Sequence, residues 1–247
     1  MTDLKSVSVW KINNYYRNSA IGLRVDCGFL FKILFCEVNY VQEYITIKDN
    51  FTAEYEEKHS RFIAVCFHCE SEQQASEIIA AQKSKYWDAR HNVYAYLLQD
   101  GSARFSDDGE PHGTAGMPML DIIKGSGITN VLVVVTRYFG GILLGTGGLV
   151  RAYSTSTRDA LSGAQKVLMC SCIEYKIECD YGNYDRLLRL ISDSGGMVQN
   201  TDFTDKITIN VMFKEVDSNA FLDKLCENFA SKLTAKQENK IFFPFNL

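Results

Sequence analysis

Residues 106–118 read SDDGEPHGTAGMP and gather Asp107, Asp108 and Glu110 with His112 in a loop punctuated by glycine. Carboxylate oxygens suit hard cations such as magnesium or calcium. Paired carboxylates can also exchange protons with a substrate, and His91 or His112 could assist. The spacing does not fit an EF-hand loop, which needs acids at alternating positions and a closing glutamate. Asp-Gly and Glu-Pro are also ordinary turn dipeptides, in which Asp bonds its own backbone. The acidic loop is thus a metal site, a proton-transfer site or a structural turn.

A second stretch, TRYFGGILLGTGGLV over residues 136–150, sets Arg137, Tyr138 and Phe139 before five glycines: Gly140, Gly141, Gly145, Gly147 and Gly148. A P-loop requires Gly-Lys-Ser/Thr, and no lysine follows here; a dinucleotide fingerprint needs glycine where Val150 stands. The physics of an anion site remains, because N–H groups at a helix start point at a ligand and glycines permit close approach. Arg137 and Arg151, with Arg158 further along, supply positive charge. The competing reading is tight packing of strand against helix, with both aromatics in the core or at its rim. Arginine beside exposed aromatics is also the chemistry of nucleic-acid backbones and splayed bases. His91, in ARHNVYAY, fits an edge or core histidine bonded to backbone, and His59 and His68 have no partner at a telling spacing.

The elements that must carry these loops follow from periodicity. Residues 44–48 alternate like a half-buried strand, whereas 61–69 and the β-branched run 130–136 read as strands covered on both faces. Ser71 and Gln74 mark the start of a helix whose stripe is Ala75, Ile78, Ile79 and Gln82. Residues 92–98 form a strand closed by the Asp100-Gly101 turn. Thr114 is expected to cap a helix running to Gly125, with Pro118 in its first turn. Another helix spans 147–163. Beyond it come strand 173–179, helix 183–194 capped by Asn183, strands 197–203 and 207–213, helix 217–229 and a last strand over 233–243. That order, β-α-β-β-α-β, is the ferredoxin-like split motif. The expected architecture is α+β in two domains, 41–165 and 168–247, with a seam near residues 165–168.

Composition narrows the function. A net charge of −4 on 247 residues excludes a generally basic nucleic-acid coat but not a local basic patch. Cysteines in apolar runs, such as Cys66, Cys179 and Cys226, read as small hydrophobes in a reducing compartment. A zinc site would require Cys66 and Cys69 to converge with Cys170 and Cys172. No cofactor is expected. The run CGFLFKILFCEV over 27–38 is too short for a membrane span and lacks a signal cleavage site. No methionine separates Met1 from Met117, so residues 1–40 are expected to be an atypical leader, with translation starting at a non-methionine codon near Val41. The expected location is cytoplasmic, with no membrane partner.

The segments HNVYAY (91–96), DDGEPHGTAGMP (107–118) and VVVTRYFGGILLGTGGLVRAY (133–153), in this order, resemble the IMPACT family in its bacterial YigZ branch. FTAEYEEKHSRFIA (51–64) resembles the family's opening segment. The resemblance implies an N-terminal domain with a ribosomal-protein-like α/β sandwich shared with domain IV of elongation factor G. It implies a C-terminal ferredoxin-like domain resembling that factor's domain V. It also implies a translation-associated role, with RNA, the ribosome or a translation-control protein as partner. A metal-assisted hydrolase or phosphate-handling enzyme using Asp107, Asp108, Glu110 and His91 is the alternative. Relatives commonly carry cysteine where Val93 stands, so no nucleophilic thiol occurs there. His112 and Met117 also depart from the family pattern.

Overall fold

The structure, a computed structural model, describes residues 43–247, which lie within one compact unit. The expected leader, residues 1–40, lies outside the described residues. Among the described residues the architecture is mixed α+β, with two five-stranded sheets and five α-helices.

The first sheet has the antiparallel order β2-β3-β6-β4-β5: β2 (Phe51–Glu57), β3 (Ser60–His68), β6 (Val131–Tyr138), β4 (His91–Leu97) and β5 (Ala103–Ser106). The run of β-branched residues in β6 takes the central place because a strand covered on both faces needs apolar side chains at every position. Its odd residues Val131, Val133 and Val135 enter one core with α2 (Gly116–Ser126) and α3 (Gly145–Gly163). Its even residues Leu132 and Val134 enter a second core under α1 (Glu72–Lys85).

Two strands escaped the pattern reading. β2 is an edge strand whose Glu54 and Glu56 face outward while Ala53 and Tyr55 pack inward. It turns into β3 through Lys58 and His59, both at positive φ (46° and 64°). That is the mirror-image hairpin turn usually signalled by Asn-Gly, here built without glycine. β5 is four residues long and lies on the opposite edge.

The second sheet carries the β-α-β-β-α-β order: β7 (Lys166–Cys179), α4 (Tyr184–Asp193), β8 (Met197–Phe203), β9 (Ile207–Lys214), α5 (Glu215–Phe229) and β10 (Ala235–Asn246). Its antiparallel path is β10-β7-β9-β8. β1 (Tyr44–Ile47) pairs with residues 166–169 at the start of β7, continuing the edge that β9 occupies further along. Ile47 nonetheless sits in the first sheet's core, and Thr129 N–H donates to the Ile45 carbonyl at 2.9 Å. β1 therefore stitches the two sheets together.

Two expected caps differ. Ser71 does cap α1, accepting from Gln74 N–H. Thr114 does not cap α2; its hydroxyl donates to the Pro111 carbonyl at 2.6 Å. Asn183 makes no side-chain cap, because a 3₁₀ turn over Tyr181–Asn183 leads directly into α4. The described cysteines are free thiols, and Cys170 and Cys172 lie in a cluster separate from Cys66 and Cys69. Among the described residues no three of His, Cys, Asp or Glu gather to hold a metal, and no helix is long and apolar enough to cross a membrane.

Candidate functional site

Strand register decides where Arg137 points. Alternation puts it on the same face of β6 as Val133 and Val135, toward α3. It lies opposite Phe62 on β3 and opposite His91 on β4. From above, Glu110 reaches down from the acidic loop: its Oε1 accepts from Arg137 Nη1 at 2.6 Å and from the Tyr153 hydroxyl of α3 at 2.8 Å. The two charged side chains are 7 % and 3 % exposed. Burial, and then the neighbouring Glu110 carboxylate, push the Tyr153 phenol far up, so it remains a donor. The guanidinium sits 5.5 Å from the Phe62 ring and 5.6 Å from the Phe139 ring, a cation between two aromatic faces.

The other two carboxylates are committed through both oxygens. Asp107 Oδ1 accepts from Ala115 N–H (3.2 Å) and Gly116 N–H (2.8 Å), and Oδ2 accepts from Gly113 N–H (2.9 Å). It is the remote cap of α2 and does the work expected of Thr114. Asp108, at φ 42°, accepts from Asn92 N–H at 2.7 Å through Oδ2 and from Lys83 Nζ at 2.7 Å through Oδ1. Its carbonyl lies 2.8 Å from His91 Nδ1. A carbonyl only accepts, so that nitrogen carries a proton. His91 Nε2 is 4.0 Å from Glu110 Oε1.

The glycines divide by cause. A Cβ on Gly140 would overlap the His59 backbone at the β2–β3 turn, so this glycine serves close packing. Gly141 and Gly145 have positive φ (84° and 71°), the region that favours glycine. A side chain on Gly148 would meet only Leu144. Gly147 has neither constraint: its Cβ direction is open, and it stands in the first turn of α3. That helix starts at Leu144 without a side-chain cap, so its first N–H groups face outward unshielded by any side chain of their own cap.

A cleft of about 400 Å³ opens here, lined by Arg90, His91, Glu110, Arg137, Phe139, Leu143 and Thr146 among others. Of the expected site residues, His91, Glu110, Arg137, Phe139 and Gly145 line it, whereas Asp107, Asp108, Gly140, Gly141, Gly147 and Gly148 do not, and three more fall elsewhere. Tyr138 points to the α1 face and donates to Asp88 at 2.8 Å. Arg151 is exposed on α3, close enough to Tyr55 for its charge to act on that phenol, and does not line the cleft. Arg158 lines a separate hollow with Asp121 and Lys166. Sequence reasoning overlooked Arg90 and Tyr153. Tyr153 was legible, because it falls on the stripe Leu149–Ala152–Tyr153–Ser156–Ala160, and a buried phenol needs a partner. A larger concavity, about 640 Å³, lies on the open face of the second sheet. Lys176 and Lys236 there are outnumbered by Glu174, Asp202 and Glu238, so it does not attract anions, and the 400 Å³ cleft is the better candidate.

Comparison with known proteins identifies relatives of the chain. An IMPACT family member of Haemophilus influenzae is 36% identical over 211 residues, 81% of this chain and 95% of that one. The chain belongs to the IMPACT family. The Impact N-terminal domain matches residues 58–161, and a domain of unknown function, DUF1949, matches 177–232. The IMPACT family member YigZ of Escherichia coli is 36% identical over 174 residues, 69% of this chain and 85% of its own length. A solved structure titled as that of an hypothetical protein aligns with a TM-score of 0.54 at 31% identity, covering 80% of this chain and 98% of that one. The Impact N-terminal match includes every side chain of the Arg137–Glu110–Tyr153 cluster.

Proposed function

We propose that this IMPACT family chain is a non-enzymatic, cytoplasmic, translation-associated protein that binds RNA or the ribosome at the cleft beside the α3 start. In this reading the first sheet and its helices, 41–165, have the ribosomal-protein-like fold of domain IV of elongation factor G. Residues 168–247 have the ferredoxin-like fold of its domain V. The observation that carries the reading is that the loop carboxylates serve structural partners. Glu110 holds Arg137 and Tyr153, Asp107 caps α2, and Asp108 holds Asn92 and Lys83. A general base needs a free lone pair aimed at substrate; Asp107 and Asp108 spend both oxygens on structural donors, and Glu110 is held through Oε1 by a buried cation and a phenol. Around the paired Glu110, the cleft presents the open start of α3, exposed Arg90, and Phe139 and Leu143. Helix N–H groups and arginine suit phosphates, and aromatic and apolar side chains suit bases.

A second reading has one specific support. Phe139, Ile142 and Leu143 form an exposed apolar loop, with Leu143 82% exposed. Such a loop would also suit a translation-control protein.

Co-sedimentation with ribosomes and RNA at low and high salt separates these readings, with wild type run beside Arg90→Glu. Phosphate contacts release counterions, so the RNA reading predicts binding that falls steeply with salt and is weakened by the charge reversal. Binding to a protein alone, indifferent to salt and to Arg90→Glu, would overturn it. Arg137→Glu is unsuitable as a probe, because it would bury two carboxylates side by side.

A further inference from the structure

We infer that Trp87 is a stacking platform for single-stranded RNA, fixed at the tip of a braced turn. The inference rests on the RNA reading above and extends it to a surface that reading does not use.

α1 ends in KSKYWDAR, residues 83–90, with three cations against one carboxylate on a chain whose net charge is −4. Lys83 is tied to Asp108, and Asp88 accepts from the Tyr138 hydroxyl at 2.8 Å. Lys85 and Arg90 form no ion pair among the described residues. Lys85 Nζ stands 4.9 Å over the Tyr86 ring. A tight turn follows, closed by Ala89 N–H donating to the Tyr86 carbonyl at 3.0 Å. The Asp88–Tyr138 bond pins this turn to the central strand. Trp87, inside the turn, is 83 % exposed.

An indole this exposed forgoes a large hydrophobic gain, and an aromatic held on a braced turn loses little freedom when a base stacks on it. Free cations flank it on both sides. Arg90 stands three positions after Trp87, so their Cα atoms lie within about 11 Å. Arg90 also lines the cleft at the α3 start. A strand stacked on Trp87 would thus pass Arg90 and lead its phosphates toward that helix end. Single strands present unstacked base faces, whereas a duplex hides them. The occupant is therefore single-stranded RNA.

The test uses the full chain with Trp10→Phe, leaving Trp87 as the only indole. A single-stranded uridine decamer and a blunt RNA duplex are titrated at low salt. The inference predicts that the decamer quenches Trp87 emission. Trp87→Ala should weaken decamer affinity roughly tenfold or more, and Trp87→Phe should restore most of it. Lys85→Glu and Arg90→Glu should each flatten the salt slope. Trp87 is exposed, so its variants keep the fold, which circular dichroism checks. If the decamer binds without quenching and Trp87→Ala leaves its affinity unchanged, the platform is refuted and RNA binding at the cleft still stands. Equal quenching by the duplex refutes the single-strand assignment. If wild type binds neither RNA nor ribosomes, the functional reading itself fails and takes the platform with it.

Discussion

At the scale of residues, Glu110 is the most consequential side chain, because it neutralises a cation that would otherwise be stranded in the core. A buried ion pair adds little relative to an apolar core, yet removing one partner costs much. Glu110→Gln keeps the shape but leaves the Arg137 charge without its counter-charge, and should cost about 3–5 kcal/mol in urea unfolding. Adding Arg137→Met should recover most of that loss. A single-variant cost below about 1 kcal/mol would mean that water or a rearranged partner already compensates Arg137. The letters around Arg137 contained much of this: alternation along VVVTRYF places it with Val133 and Val135 on one face and Tyr138 on the other. They did not contain the partner. Glu110 meets Arg137 across 27 positions, through a loop whose path depends on Asp108 at positive φ and on Asp107 bonding α2. No local pattern encodes such an encounter.

At the scale of elements, the caps explain which expectations transferred. Long periodic segments, such as the α3 stripe and the β6 run, were legible because burial acts on each turn or strand residue in the same way. Caps made by side chains distant in sequence were not, and Asp107 displaced Thr114 for that reason. β2 and β5 were missed because edge strands carry charges and lack a continuous apolar face. Glu215, at the first position of α5, offers a test of a charge-dependent tie between that helix and strands β7 and β10. Lys240 Nζ (2.6 Å) and then the Ser171 hydroxyl (2.7 Å) donate to its carboxylate and lower its pKa from the ordinary 4.5. A lowered folded-state pKa contributes stability above the unfolded value, and that stability is lost as pH falls through the folded one. Glu215→Gln should therefore be less stable than wild type at neutral pH, by about 1 kcal/mol. The two melting curves should converge in acid. A gap that persists unchanged in acid would show that shape rather than charge matters there.

At the scale of the whole molecule, β1 pairs with β7 while Ile47 enters the other core, so the two sheets share a strand's worth of structure. The cleft sits away from this junction, bounded by the first sheet, the acidic loop and the start of α3. The central claim is that this start is a binding surface for anions rather than a reaction centre or a packing device. Gly147→Asp tests it most directly, measured for thermal stability and for RNA co-sedimentation on the same preparation. The new Cβ meets nothing within 4 Å, and Gly147 is outside the positive-φ set. A carboxylate in the first helical turn complements the helix dipole and replaces a poor helix former, worth about 0.5–1 kcal/mol. The account predicts a protein at least as stable as wild type that has lost most of its RNA binding, because the new charge repels phosphate from the same N–H groups. Undiminished binding in this folded variant would contradict the account.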